Sequence, residues 1–169
     1  MSDTLQPPSE AARLAELQRL CVLDTVEEQA YDDITRMAAD ICGTPIAVIS
    51  LIDDKRQWFK ARVGLQVSET PRELAFCAHA IQTPGRPMVV NDATKDARFE
   101  SNPLVTGDPN IRFYAGAPLV TSNGHALGTV CVIDREPREI TPEQLEQLQF
   151  MAQQVILMLE ARVEPFAGD

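Results

Sequence analysis

The feature that most restricts this chain is a pair of apolar runs, IRFYAGAPLV (111–120) and ALGTVCVID (126–134), separated only by TSNGH. Five residues cannot hold a crossover helix, so these two runs are expected to be antiparallel neighbours joined as a hairpin. Asn123 and Gly124 suit a type I′ turn, in which both central residues take positive φ. A second pair stands earlier in the chain. PIAVISLID (45–53) is nearly all apolar and β-branched, and RQWFKARVG (56–64) follows the turn-like Asp53 and Asp54. In the latter run Phe59, Ala61 and Val63 alternate with Trp58, Lys60 and Arg62. The first of these strands therefore reads as central and the second as nearer an edge.

Helical periods flank the strands. AARLAELQRL (11–20) spaces Leu14, Leu17 and Leu20 three apart, the pattern of an amphipathic helix. Asp24 or Thr25 can cap a second helix, with Tyr31, Ile34, Met37, Ala38 and Ile41 as its apolar stripe and Gly43 to end it. Residues 68–83 read as a short helical connection and PMVVN (87–91) as a brief strand. The stretch from Asp92 to Asn110 holds Pro103, Gly107 and Pro109 with little periodicity, and segments of that kind tend to be functional. Thr141, Pro142, Glu143 and Gln144 form an N-cap, a first-turn proline and a capping box that launch a helix to about Val163. Paired hairpins with helices gathered at the ends specify an α+β fold on an antiparallel sheet. Residues 1–9 read as a flexible leader, 10–163 as a single domain and 164–169 as a short tail.

A net charge of −10, from 15 basic and 25 acidic residues, repels phosphate backbones and anionic lipid alike, so neither nucleic acid nor membrane is an expected partner. No basic, apolar leader opens the chain and no run approaches a membrane span, which leads to a cytoplasmic expectation. The four cysteines include no CxxC pair and read as reduced: Cys21 and Cys42 border helices and Cys131 lies inside an apolar strand as a small hydrophobe. Cys77 alone invites a chemical reading.

FCAHAI (76–81), DATKDARFESNPLV (92–105), IRFYAGAPLV and HALGTVCVIDREPREIT (125–141), in this order, resemble the GAF domains at the input end of bacterial histidine kinases and diguanylate cyclases. The resemblance spans residues 10–163 and implies a GAF-like, PAS-related sheet of five to six antiparallel strands. It places terminal helices on one face and a ligand pocket on the other. It also implies a non-catalytic sensory module, a small-molecule ligand of unknown identity, and a sensor kinase or cyclase as output partner. No such output segment follows the last helix, so the chain is expected to be a stand-alone GAF protein or a fragment. The Asn, Lys and Phe-x-x-x-Asp-Glu pattern of cyclic-nucleotide-binding relatives is not matched after Phe99 or Phe113. The cysteine and aspartate context of bilin-binding relatives is not clearly present either.

The candidate pocket comprises Arg112, Tyr114, Phe76, Cys77, His79, Asp92, Phe99 and Asn102. Alternation sends Ile111, Phe113, Ala115, Ala117 and Leu119 under the helices and Arg112, Tyr114 and Gly116 to the pocket face. There Arg112 is expected to meet Asp92, Asp134 or an anionic or carbonyl-bearing ligand. Cys77 and His79, two apart on a helix, point to different faces, and neither a third metal ligand nor an orienting acid accompanies them. Asp92 reads also as a cap and Phe99 as an anchor of the long segment. Two alternatives stand beside the sensory reading. One is a ligand-less dimerisation module. The other is a free methionine sulfoxide reductase of the stand-alone GAF type, disfavoured because AFCAHA lacks that family's paired-cysteine segment. In the last helix Phe150 and Leu157 lie off the main apolar stripe and want a partner, expected to be a second copy.

Overall fold

The computed structural model describes residues 10–162. The leader, the tail and the end of the last helix at Val163 lie outside them. Six strands make one sheet: β1 (Ile46–Ile52), β2 (Arg56–Val63), β3 (Glu69–Pro71), β4 (Met88–Val90), β5 (Phe113–Val120) and β6 (Ala126–Asp134), in the spatial order β3-β2-β1-β6-β5-β4 and antiparallel throughout. The two hairpins are joined at the middle by β1 against β6, from Ile46 opposite Ile133 to Leu51 opposite Gly128. β1 is buried at every position and β6 at all but Asp134.

Such strands need cover on both sides. On one face lie α1 (Glu10–Arg19), α2 (Gln29–Cys42) and α5 (Pro142–Ala161), closing over Ala47, Ile49, Leu51, Phe113, Ala115, Ala117 and Leu119. Tyr31, Ile34 and Ala38 of α2 and Leu148, Ala152, Val155, Ile156 and Leu159 of α5 supply the stripes the periodicity marks, with Met151 joining them. On the other face α3 (Phe76–Ala80), α4 (Pro103–Thr106) and the coil around them cover Ile46, Val48, Ile52, Tyr114, Cys131 and Ile133. α5 starts with the anticipated capping box: Gln144 N–H donates to Thr141 Oγ1, and Thr141 N–H donates to Gln144 Oε1, both at 3.0 Å. α2 ends at Gly43.

Several expectations need correction. α2 begins at Gln29, not after Asp24 or Thr25, and its N-cap residue Glu28 makes no capping bond, because its carboxylate is taken by Lys60 and Arg162. The connection at 68–83 contains a strand, β3, which extends the sheet beyond β2 through Arg56 to Trp58. The turn between β5 and β6 is not type I′: only Gly124 has positive φ, at 89°, and its N–H donates to Thr121 O at 2.9 Å, leaving Ser122, Asn123 and Gly124 as a three-residue loop. Ile111 precedes β5 and packs on the pocket side, not under the helices. Within β2 the alternation breaks. Ile49 pairs with Ala61 but Ser50 pairs with Phe59, so Lys60 is an extra residue. Trp58 and Ala61 consequently share the helix side while Phe59 turns to the other.

The bulge delivers the fully buried Lys60 ammonium to Thr25 Oγ1 at 2.8 Å, Val26 O at 2.6 Å and Glu28 Oε2 at 2.7 Å. Glu28 also receives Arg162 from the end of α5 at 2.7 Å. The Lys60 and Arg162 bonds hold the Glu28 carboxyl below its ordinary pKa, so its stabilising contribution is complete above the usual glutamate value and is lost as pH falls through the lowered one. Lys60→Met is expected to cost about 1–3 kcal/mol, read by chemical denaturation at neutral pH, with the difference from wild type narrowing below about pH 4.

Candidate functional site

The site is built from β1, β5, β6 and α3. Ser50 and Thr129 face each other across β1 and β6, with their hydroxyls 3.2 Å apart. Cys131 lies two residues further on, and Gly116 of β5 pairs with it. A side chain on Gly116 would collide with the Tyr114 hydroxyl, so the space this glycine leaves is filled by Tyr114 itself. α3 then lowers Cys77 onto the cluster. Its Sγ lies 3.0 Å from Thr129 Oγ1, 3.1 Å from the Tyr114 hydroxyl and 3.9 Å from Cys131 Sγ. Ser50, Cys77, Tyr114, Thr129 and Cys131 are all buried. Each can donate and accept, so the cluster satisfies itself in an apolar surround.

Burial alone would raise the Cys77 pKa; hydrogen bonds from Cys131, Ser50, Thr129 and Tyr114 outweigh it and bring the thiol down to about 7. Burial pushes Cys131 and Tyr114 well up, and the negative charge developing on Cys77 pushes them further. Cys77 is therefore the member of the cluster that ionises first.

Beside the cluster is a cavity of about 60 Å³, walled by Ile46, Val48, Phe59, Phe76, Ile111 and Ile133 among others. Its polar lining is Cys77, Tyr114, Cys131 and the mutually bonded Gln57 and Thr70, at 3.0 Å. It has room for a few water molecules or a comparably small ligand. Among the described residues no charged side chain lines it.

Three residues singled out in the sequence, Phe76, Cys77 and Tyr114, line this cavity; the other five, Arg112, His79, Asp92, Phe99 and Asn102, are not among its lining residues. Phe99 is fully buried and stacks behind Phe76, with centroids 4.0 Å apart and planes 7° apart. His79 turns outward, half-buried, with its ring edge-on to Phe99 at 4.9 Å, and burial followed by the Arg98 charge lowers its pKa. Asp92 is half-buried and caps the 3₁₀ turn 93–95 through Thr94 N–H at 3.1 Å. Asn102 caps α4 through Leu104 N–H at 2.8 Å and donates to Leu74 O at 3.1 Å. Arg112 lies on neither expected acid. Its guanidinium donates to Val105 O at 2.8 Å and Ile111 O at 3.0 Å, clasping the segment above the cavity, while Asp134 pairs with Arg138. The segment 92–110 is thus an ordered lid made of two capped turns. Ser50, Thr129 and Cys131 were not anticipated in the site; a lone hydroxyl inside each of two apolar strands was the available signal. Among the described residues no group of acidic, histidine and cysteine side chains could hold a metal ion, and no helix is long and apolar enough to cross a membrane.

A six-stranded antiparallel sheet with terminal helices on one face and a lidded cavity on the other defines a GAF-like α+β domain. The family model described as GAF domain matches residues 27–159, and the chain belongs to that family. A cyclic di-GMP phosphodiesterase of Pseudomonas aeruginosa is 48% identical over 132 residues, which are 78% of this chain and 22% of that protein. The chain thus spans about a fifth of the curated relative's length. Among solved structures, the GAF domain of an Acinetobacter phosphoenolpyruvate-protein phosphotransferase superposes with a TM-score of 0.65 at 18% identity, covering 94% of this chain and 98% of that one. A type II free methionine-R-sulfoxide reductase from Thermoplasma acidophilum superposes with a TM-score of 0.63 at 10% identity, covering 77% and 89%.

Arg112→Ala removes the clasp between strand and lid. Loss of its two carbonyl contacts is expected to lower stability by about 1–2 kcal/mol and to speed amide hydrogen exchange of Ile111, which donates to Leu104 O, more than that of β6. Unchanged protection across the lid would show that the clasp is dispensable.

Proposed function

We propose that this domain is a non-catalytic sensor that takes a small, uncharged ligand into the cavity beneath the lid and dimerises through α5. In this reading it passes its state to an output enzyme of cyclic di-GMP turnover. The observation that carries the ligand reading is an apolar cavity whose polar groups come from a few thiol, hydroxyl and amide side chains, which suits a neutral molecule better than an ion. The output reading is supported by the similarity to a cyclic di-GMP phosphodiesterase, of which this chain resembles only a part.

The fold likeness to a methionine sulfoxide reductase, together with Cys77 and Cys131 in contact, keeps a thiol enzyme as the alternative. A free amino acid carries an ammonium and a carboxylate, however, and among the described residues no charged side chain lines the cavity to hold either. Binding without turnover is therefore the reading the site supports better.

A thermal-shift screen of small neutral molecules is the direct test. A true ligand at a hundredfold excess over its Kd adds about 2.7 kcal/mol, or several degrees of Tm, and Ile133→Phe, which fills the cavity, removes that shift. No shift with any compound, and no small molecule released on denaturation for mass spectrometry, would leave a ligand-less dimerisation module. For the dimer, Phe150 and Leu157 are 55% and 68% exposed, large apolar side chains on the outer face of α5. Phe150→Glu combined with Leu157→Glu is expected to yield a folded monomer by sedimentation; a wild type already monomeric at high concentration removes the proposal.

A further inference from the structure

Cys77 and Cys131 lie 54 residues apart in sequence, on α3 and on the central strand β6, yet their sulfurs are 3.9 Å apart and both line the cavity. The geometry points to a second use of the site: we propose that these two thiols close a reversible intradomain disulfide when a small hydroperoxide enters the cavity. This proposal is independent of the identity of any other ligand.

Bond formation needs the sulfurs to approach to about 2.05 Å, a closure of roughly 1.9 Å from 3.9 Å. α3 can supply that movement, because it is a helix of only five residues, whereas β6 is paired on both sides. The hydroxyls that Cys77 would leave are not orphaned. Tyr114 and Thr129 are 3.4 Å apart, and Thr129 is 3.2 Å from Ser50, so the network closes on itself when the thiol withdraws.

The chemistry balances as follows. The Cys77 thiolate attacks one peroxide oxygen; the O–O bond breaks, the alkoxide leaves and takes a proton to become an alcohol, and Cys77 becomes a sulfenic acid. The Cys131 sulfur then attacks the Cys77 sulfur. The S–S bond forms as the S–O bond breaks, and hydroxide departs with the Cys131 proton as water. Two thiols and one hydroperoxide give one disulfide, one alcohol and one water, with two electrons passing from sulfur to oxygen. A dithiol reverses the bond by exchange. Where thiols are kept reduced, a pair of this kind serves as a sensor and not as a staple. The other cysteines are unsuited to it. Cys21 is exposed, and Cys42 lies in the helix layer, where burial pushes its thiol up to about 11. Closure would also be felt by the lid, because Phe76, next to Cys77, is the residue stacked on Phe99.

The test uses the whole chain carrying Cys21→Ser and Cys42→Ser, so that only the pair remains. After hydrogen peroxide or tert-butyl hydroperoxide and a quench, alkylation with N-ethylmaleimide in denaturant should add nothing. The intact mass should fall by two hydrogens, a peptide linking Cys77 to Cys131 should appear, and dithiothreitol should restore two alkylated sites. In wild type, which guards against misfolding of the background variant, peptide mapping should find the linked pair forming about tenfold faster than Cys42 is modified. Amide exchange across 92–110 should differ between the oxidised and reduced forms. Two alkylated sites retained under conditions that oxidise the denatured chain would overturn the proposal. So would stable oxygen adducts on Cys77 without the cross-link, or exposed Cys21 joining two chains while the pair stays reduced.

Discussion

A strand that is buried along its length leaves a sheet with no face to give to water. β1, and β6 as far as Ile133, are such strands, they lie side by side, and everything else in the domain follows from covering them twice. The helix layer is the ordinary solution on one side, with three amphipathic segments closing a continuous core. The other side is covered by the short helices α3 and α4 and the coil around them. Its cover is therefore held by specific contacts: the two caps at Asp92 and Asn102, the Phe76 and Phe99 stack, and the Arg112 clasp on two carbonyls. A cover built from so few elements does not fill the space completely. The cavity is what remains, and it lies where the polar side chains of the sheet are grouped.

The acidity of the chain has little part in the site. Most arginines are engaged at the surface or between elements, as with Arg56, which meets Asp24, Asp53 and Glu69 at 2.7–3.1 Å. Exposed pairs of this kind contribute little each, and their role is to tie the β2 and β3 edge to the loop before α2. The interior facing the cavity is left to thiols, hydroxyls and one amide, groups that reverse donor and acceptor roles without a charge to bury. That combination limits what the site can hold more firmly than its volume does.

Features governed by short-range rules were legible in the sequence: both hairpins, the Thr141 capping box, the end of α2 at Gly43, the helix-facing residues of β5 from Phe113 to Leu119, and Tyr114 on the opposite side. Features that depend on the third dimension were not. Arg112 is bound by backbone carbonyls, and a carbonyl has no letter in the sequence. β3 is three residues long and shows no alternation of its own. The contact between Cys77 and Cys131 joins a helix and a strand whose separate patterns both read as plain core, so the pairing emerges only when α3 is folded onto the sheet. The bulge in β2 was hidden because its residues alternate convincingly on either side of it.

That bulge also bears on the hairpin's alignment. A strand next to the edge of a sheet can in principle slide along its neighbour by two residues and keep every side chain on its proper face, since the pleat repeats with that period. With Lys60 inserted, a slide of two no longer restores the pattern: it would misplace the irregularity and draw a buried ammonium away from three oxygens at once. The lysine therefore acts as a detent, a notch that allows one alignment of the hairpin and makes the adjacent ones costly.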